Sequence, residues 1–203
     1  ENITDPKLKG YIDVLDKKSS RLKNLTEDLL EASKASSGNI RMEFACIDMA
    51  ELAEQAGGEF EDKFKSRNLE LELSVPEDAV PVLADGRHLW RVFENLYNNA
   101  AKYSMEGTRV YAEVRTADED KAVFTIKNVS EKKLNISPDE LTERFVRGDV
   151  SRNTEGSGLG LSIAKSLTAL MKGELKIEID GDLYKASVIM DRYHDENDAV
   201  KEG

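Results

Sequence analysis

The sequence predicts an α/β fold, a two-layer sandwich with helices on one face of a mixed sheet, preceded by a long N-terminal helix. Three observations carry that expectation. Strand-like alternation, clearest in LELELSV over 69–75, recurs between segments with the three-and-four spacing of helices. The stretch 85–104 has a complete apolar stripe: Leu89, Val92, Phe93, Leu96, Ala100 and Tyr103. Ahead of both, Leu8, Ile12, Leu15, Ser19, Leu22, Thr26 and Leu29 alternate steps of four and three, as a heptad seam does.

In chain order, Asp5 and Pro6 make an N-cap followed by a proline at the first helical position. Leu25 and Leu30 widen the seam, and 33–39 ends the helix, with Gly38 as its stop. A lone helix cannot bury such a seam. It is either half of a dimerising hairpin or a helix folded back on its own domain. A short strand is expected over 41–47, and Asp48 with Glu51 forms a capping box for a helix reaching Ser66. The strand 69–75 closes at Pro76 and the helix 85–104 follows. Strands 108–115 and 122–128 form a hairpin. A polar segment, 129–157, has the length of a lid and includes one helical turn at 141–145. A helix over 159–171 leads to strands 174–179 and 184–190, joined through Asp180-Gly181-Asp182. From Arg192 the chain is polar and expected to fray.

Composition removes several function classes. A net charge of −11 opposes nonspecific binding to nucleic acid or to an anionic membrane surface. One cysteine, Cys46, excludes an internal disulfide and a cysteine-based zinc site. No apolar run reaches membrane-spanning length and no signal peptide opens the chain. With no initiating Met, the expectation is a cytoplasmic piece of a longer protein.

Two stretches carry chemistry. On the helix 85–104, Asn95, Asn99 and Lys102 share one narrow sector at the edge of the apolar stripe, flanked by Arg91 and Asn98. Three asparagines within five residues cost a helix about 1–2 kcal/mol relative to alanine. Solvation alone needs no such arrangement. Amide oxygens beside one lysine suit a metal-bound polyphosphate. The second stretch, Gly156-Ser157-Gly158-Leu159-Gly160-Leu161, opens a helix. Glycines there allow close backbone approach to an anion, and the helix N-terminus offers free amides and a positive dipole end. A Walker loop is excluded because no Gly-Lys-Ser/Thr is present, and a dinucleotide fingerprint because Leu161 stands where a glycine is needed.

In this order and spacing the chain resembles, over about 41–191, the ATP-binding domain of bacterial sensor histidine kinases, in the superfamily shared with gyrase and the heat-shock chaperone ATPases. FENLYNNAAKYS is similar to the asparagine box of these kinases, ERFVRGDVSR to their phenylalanine box and TEGSGLGLSIAKSL to their second glycine box. The leading helix resembles the second helix of their dimerisation and phosphoacceptor hairpin. The resemblance implies three parts: 1–40 as that partial hairpin, 41–191 as the catalytic domain and 192–203 as a polar tail. It implies ATP and Mg²⁺ as cofactors. Asn99 would hold Mg²⁺, Asn95 would orient the ion or the phosphates, and Lys102 would contact phosphate. Tyr103 would line the nucleotide pocket. Gly156, Gly158 and Gly160, with Ser157 and Leu159 between them, would cradle phosphates. Phe145 would anchor the lid, while Arg147 and Arg152 would offset phosphate charge.

Hydrolysing members of that superfamily carry a glutamate four residues before the Mg²⁺ asparagine; here it is Asn95, with Glu94 adjacent. A neutral imidazole is nucleophilic near pH 7 without a protein base, so this favours a kinase. Two departures stand out. The first glycine box is replaced by IKNVSEKKLNI, with Asn128 where an adenine-binding aspartate belongs. No phosphoacceptor run occurs, and His88 and His194 are read as incidental. The implied function is transfer of the γ-phosphoryl group to a histidine on an upstream helix, then to a response-regulator receiver domain. The full-length protein would be a membrane-anchored homodimer. An ATPase or serine kinase of the same superfamily and a degenerate scaffold are the alternatives.

Overall fold

A computed structural model describes residues 6–38, 40–117, 120–135, 137–143 and 158–194. The N-cap expected at Asp5 lies outside these residues. The first helix, α1 (Pro6–Ser36), leaves its seam uncovered: Leu8, Ile12, Leu15, Leu22 and Leu29 are all exposed. Its last turns behave differently. Ala32 and Ala35 are buried, and α1 packs there against α5 (Gly160–Leu170). The C-terminal end of the helix therefore folds back on the domain while the preceding turns do not.

Five strands form the main sheet in the order β2 (Glu70–Ser74), β4 (Arg109–Ala117), β5 (Lys121–Val129), β7 (Leu183–Asp191) and β6 (Glu174–Asp180). Only β2 and β4 run parallel, so the sheet is mixed, as expected. The β6–β7 turn places Gly181 at φ +60, a left-handed conformation that suits glycine. Alternate residues of the central strands point to one side and are buried: Val110, Ala112 and Val114, then Phe124 and Ile126, then Ala186 and Val188. Over that face lie α2 (Met49–Ser66), α3 (Gly86–Tyr103) and α5. The rings of Phe93 and Phe124 are 4.3 Å apart at their centroids, and Tyr97 lies 5.7 Å from Phe124, which pins α3 over the middle of the sheet. The Tyr97 hydroxyl donates to the Ala53 carbonyl at 3.1 Å and joins α3 to α2.

Both outer strands turn charged side chains to solvent, Glu70 and Glu72 on β2 and Glu174 and Lys176 on β6.

Several expected boundaries moved. β1 spans Ala45–Asp48 rather than 41–47, because its partner among the described residues, β3 (Pro81–Ala84), is four residues long. The β3 strand had no expectation behind it: four residues starting at a proline give too little alternation to read. Asp48 caps α2 as foreseen, accepting from Ala50 N at 2.9 Å. Glu51, however, accepts from Gln55 Nε2 at 3.0 Å, and the second Asp48 bond comes from Val80 N. A complete capping box occurs instead at Ser137 and Glu140, opening α4 (Pro138–Thr142), which starts three residues before the turn expected at 141–145 and ends at Thr142; residues 144 and 145 lie outside the described residues. Arg192 and Tyr193 do not fray; their amides donate to Asp120 and Pro81 carbonyls at 2.9 and 2.8 Å.

Both ends of α3 are fastened by charge. Asp85, 1% exposed, accepts from the amides of Arg87, His88 and Glu43 at 3.1, 3.2 and 2.8 Å. His88 Nδ1 stands 3.1 Å from the same carboxylate. Burial pushes the Asp85 carboxyl up, yet these donors outweigh it and hold it below the usual aspartate range. At the other end Arg67 donates to the carbonyls of Lys102 and Ser104 at 2.7 and 3.2 Å, satisfying acceptors the helix leaves unpaired. Asp85→Ala should cost about 2 kcal/mol in urea denaturation at pH 7. Because the folded carboxyl is depressed, that contribution is complete above the ordinary aspartate pKa and disappears as pH falls through the lower folded value. The difference between wild type and variant should therefore shrink below about pH 4.

Candidate functional site

The expected sector of α3 is intact. Asn95, Asn99, Lys102 and Tyr103 are all partly exposed, while Leu96, Tyr97, Ala100 and Ala101 are buried. Asn95 Nδ2 donates to the Arg91 carbonyl at 2.9 Å, a bond within the helix that orients the amide. Lys102 Nζ lies 2.8 Å from the Tyr103 hydroxyl and over the same ring.

Asn95 Oδ1 faces the start of α5. A Cβ on Gly160 would meet that oxygen at 2.9 Å, closer than real Cβ atoms come. Any larger residue at Gly160 would thus have to displace the Asn95 amide. Gly158, at φ +74, takes a left-handed conformation two residues earlier. Leu159 is buried and provides no side-chain cap, although capping positions favour Ser, Thr, Asp and Asn. The first turn of α5 therefore lies beside the asparagine sector, and its N-cap offers it no side-chain bond.

A polar strip crosses the otherwise apolar interior from this sector. Asn128 points to the helix-covered side of β5, in step with Phe124 and Ile126, and is 3% exposed. Its register partner on β7 is Tyr184. The Tyr184 hydroxyl is buried without a hydrogen bond of good geometry. Burial pushes this phenol up, and the neighbouring Asn99 side chain pulls slightly the other way. Asn99, Tyr184 and Asn128 are thus contiguous.

Arg91 borders the site on its other flank. Its guanidinium reaches Glu94 at 2.6 Å, Asp28 at 2.7 Å and Glu31 at 3.0 Å, the last two on α1. Partial burial favours losing the proton, but Glu94 and Glu31 prevail and raise the guanidinium further. Glu94 is therefore held in an ion pair. Nearby, Lys63 of α2 contacts Asn98, and its ammonium is lowered by desolvation, against Glu94 and with Lys102.

Phe145, Arg147, Arg152, Gly156 and Ser157 lie outside the described residues. Of the remaining expected site residues, the fold brings Asn95 against Gly160 and Asn99 against Tyr184. Tyr184, Lys63 and the α1 partners of Arg91, Asp28 and Glu31, had no sequence signal, since each depends on how separate elements dock. A concavity of 620 Å³ lined by Lys65, Asn68, Thr108 and Arg109 includes none of the expected residues, and its Arg109 is already paired with Glu70 and Glu72. Among the described residues no three His, Cys, Asp or Glu side chains converge as a metal site. No helix among them is long and apolar enough to cross a membrane.

Comparison with known proteins adds three findings. Residues 84–194 match the family described as histidine kinase-, DNA gyrase B-, and HSP90-like ATPase. The chain is 33% identical over 159 residues to the signal transduction histidine-protein kinase BaeS of Escherichia coli (strain K12), covering 76% of this chain and 33% of that protein. It is 29% identical over 166 residues to the alginate biosynthesis sensor protein KinB of Pseudomonas aeruginosa, covering 82% and 27%. The chain thus spans about a third of the length of the curated relatives it matches. Two solved structures share its fold at 21% identity. The Acinetobacter baumannii histidine kinase AdeS has a TM-score of 0.74, with 95% of this chain and 88% of that chain covered. Full-length ShkA in complex with AMPPNP has a TM-score of 0.80, with 96% and 41% covered.

Proposed function

The chain belongs to the histidine kinase-, DNA gyrase B-, and HSP90-like ATPase family, and from that premise we propose that it is the nucleotide-binding, catalytic portion of a sensor histidine kinase. One observation carries the reading. The glycine-opened helix starts against the asparagine sector, with Gly160 tight on Asn95 Oδ1, so the first turn of α5 and an amide oxygen of α3 lie side by side. Donors at a helix N-terminus suit phosphate oxygens, and hard amide oxygens suit Mg²⁺, which takes its remaining ligands from phosphates and water. The absence of a three-carboxylate or histidine cluster among the described residues fits a metal brought with the nucleotide.

In this reading Asn99 holds the ion and Asn95 orients it or the phosphates. Mg²⁺, when bound, supplies neutralisation of the charge on the transferring phosphoryl group. Lys102 contacts phosphate, Tyr103 lines the pocket and Asn128 meets the base. Gly158, Leu159 and Gly160 present the backbone. The assignments of Phe145, Arg147, Arg152, Gly156 and Ser157 rest on the family resemblance alone. Catalysis is positioning and charge compensation, and the acceptor is a histidine on a helix upstream of residue 1. Residues 1–40 belong to the dimerisation region, 41–191 to the catalytic domain and 192–203 to a tail. The whole protein is a membrane-anchored homodimer with this portion in the cytoplasm, and its phosphoryl group passes to a response-regulator receiver domain.

Glu94 argues against the hydrolase alternative. A base for water needs a free carboxylate, and this one is committed to Arg91 at 2.6 Å.

Calorimetric titration with ATP, with and without Mg²⁺, tests the proposal. Saturable, Mg²⁺-dependent binding with negligible turnover is expected, and phosphohistidine should form once an upstream acceptor helix is supplied. No binding in either condition would favour the degenerate scaffold; steady hydrolysis lost in Glu94→Gln would favour the ATPase. Gly160→Ala should weaken ATP binding by about 10-fold with a near-normal melting transition, because its methyl displaces Asn95 Oδ1.

A further inference from the structure

We infer that the site accepts guanine as well as adenine nucleotides, because the group that meets the base is an amide, Asn128. The inference rests on the nucleotide reading above and deepens it. Asn128 is 3% exposed, yet its side chain makes no hydrogen bond among the described residues. Its register partner Tyr184 carries a buried hydroxyl that lacks a well-formed bond, and Asn99 adjoins that hydroxyl. Interiors seldom leave polar groups in this state, since each loses water and gains nothing. That hydroxyl, with Asn128 beside it on the adjacent strand and both leading inward from the phosphate-facing sector, marks a place where a polar heterocycle completes the bonding.

The chemistry of the amide sets which heterocycle. An amide holds one acceptor and one donor side by side. Adenine presents an amino donor at C6 next to an acceptor at N1. Guanine presents a carbonyl acceptor at C6 next to a donor at N1. Rotating the Asn128 amide by half a turn exchanges its oxygen and nitrogen, so one side chain matches either edge. A carboxylate here would accept from the adenine amino group and would oppose the guanine carbonyl with like partial charge. With Asn128 that discrimination is missing. Nothing else among the described neighbours replaces it: Tyr184 can donate or accept, as the amide can.

Titration of the full chain with Mg²⁺–ATP and Mg²⁺–GTP, together with Asn128→Asp, tests the inference. Wild type is expected to bind the two with dissociation constants within about 10-fold, and Asn128→Asp to favour ATP by a further factor of about 10–100. The wild-type ratio decides the matter even where the buried aspartate prevents folding. Tight ATP binding with GTP weaker by about 100-fold or more would overturn the inference and leave the nucleotide reading standing. An unchanged ratio in a folded Asn128→Asp would overturn it as well. Binding of neither nucleotide would overturn both.

Discussion

Asn99→Ala should weaken Mg²⁺-dependent ATP binding by about 100-fold, the loss typical of a removed ligand or orienting group at a metal site. Asn99 sits at the rim of the core and is one residue before buried Ala100, so its backbone position is fixed by α3 itself. The substitution improves helix propensity and removes no bond from the backbone. Folding stability should therefore change by less than about 1 kcal/mol, which separates the binding effect from unfolding. Affinity measured without Mg²⁺ should barely change, because the amide acts on the ion. Asn99→Asp, which retains an oxygen, should recover part of the loss. Equal ATP affinity for wild type and Asn99→Ala in saturating Mg²⁺ would remove Asn99 from the site.

The second large effect concerns Arg91. Arg91→Ala leaves Asp28, Glu31 and Glu94 gathered around one vacated position, three carboxylates with no cation between them. Surface pairs contribute little and fully buried ones lose several kcal/mol when broken. These groups are partly covered, with 20–36% of their side-chain surface exposed, so a loss of about 2–3 kcal/mol is expected. Urea denaturation would measure it, and high salt should narrow the gap by screening the residual repulsion. Limited proteolysis should also cut within α1 sooner, since Asp28 and Glu31 are its charged ties to the domain. A change below about 0.5 kcal/mol would mean that the burial of Ala32 and Ala35 fastens α1 without help from charge.

The legibility of the fold follows the strength of local pattern. The α3 helix was readable because its stripe and its asparagine sector both fall within twenty residues and obey one period. Both long hairpins were readable for the same reason. β3 was not, since four residues cannot establish a period, and β1 was misjudged with it because the pair defines both ends. The Asp48–Glu51 spacing fitted a capping box, but Val80 N reached the Asp48 oxygen through tertiary packing that spacing alone does not encode. At the site, residues within one helix kept the relations their numbering implied. Contacts between elements were hidden: Tyr184 beside Asn99 depends on how β7 lies under α3, and Asp28 and Glu31 on Arg91 depend on how α1 docks.

The charged outer strands have a consequence for behaviour at high concentration. An open sheet edge is a template for another chain, and extension from it leads toward aggregation. On β2, Glu70 and Glu72 would have to be desolvated beside any incoming strand, and on β6, Glu174 and Lys176 would impose the same cost. Growth by strand addition is thereby discouraged at both rims.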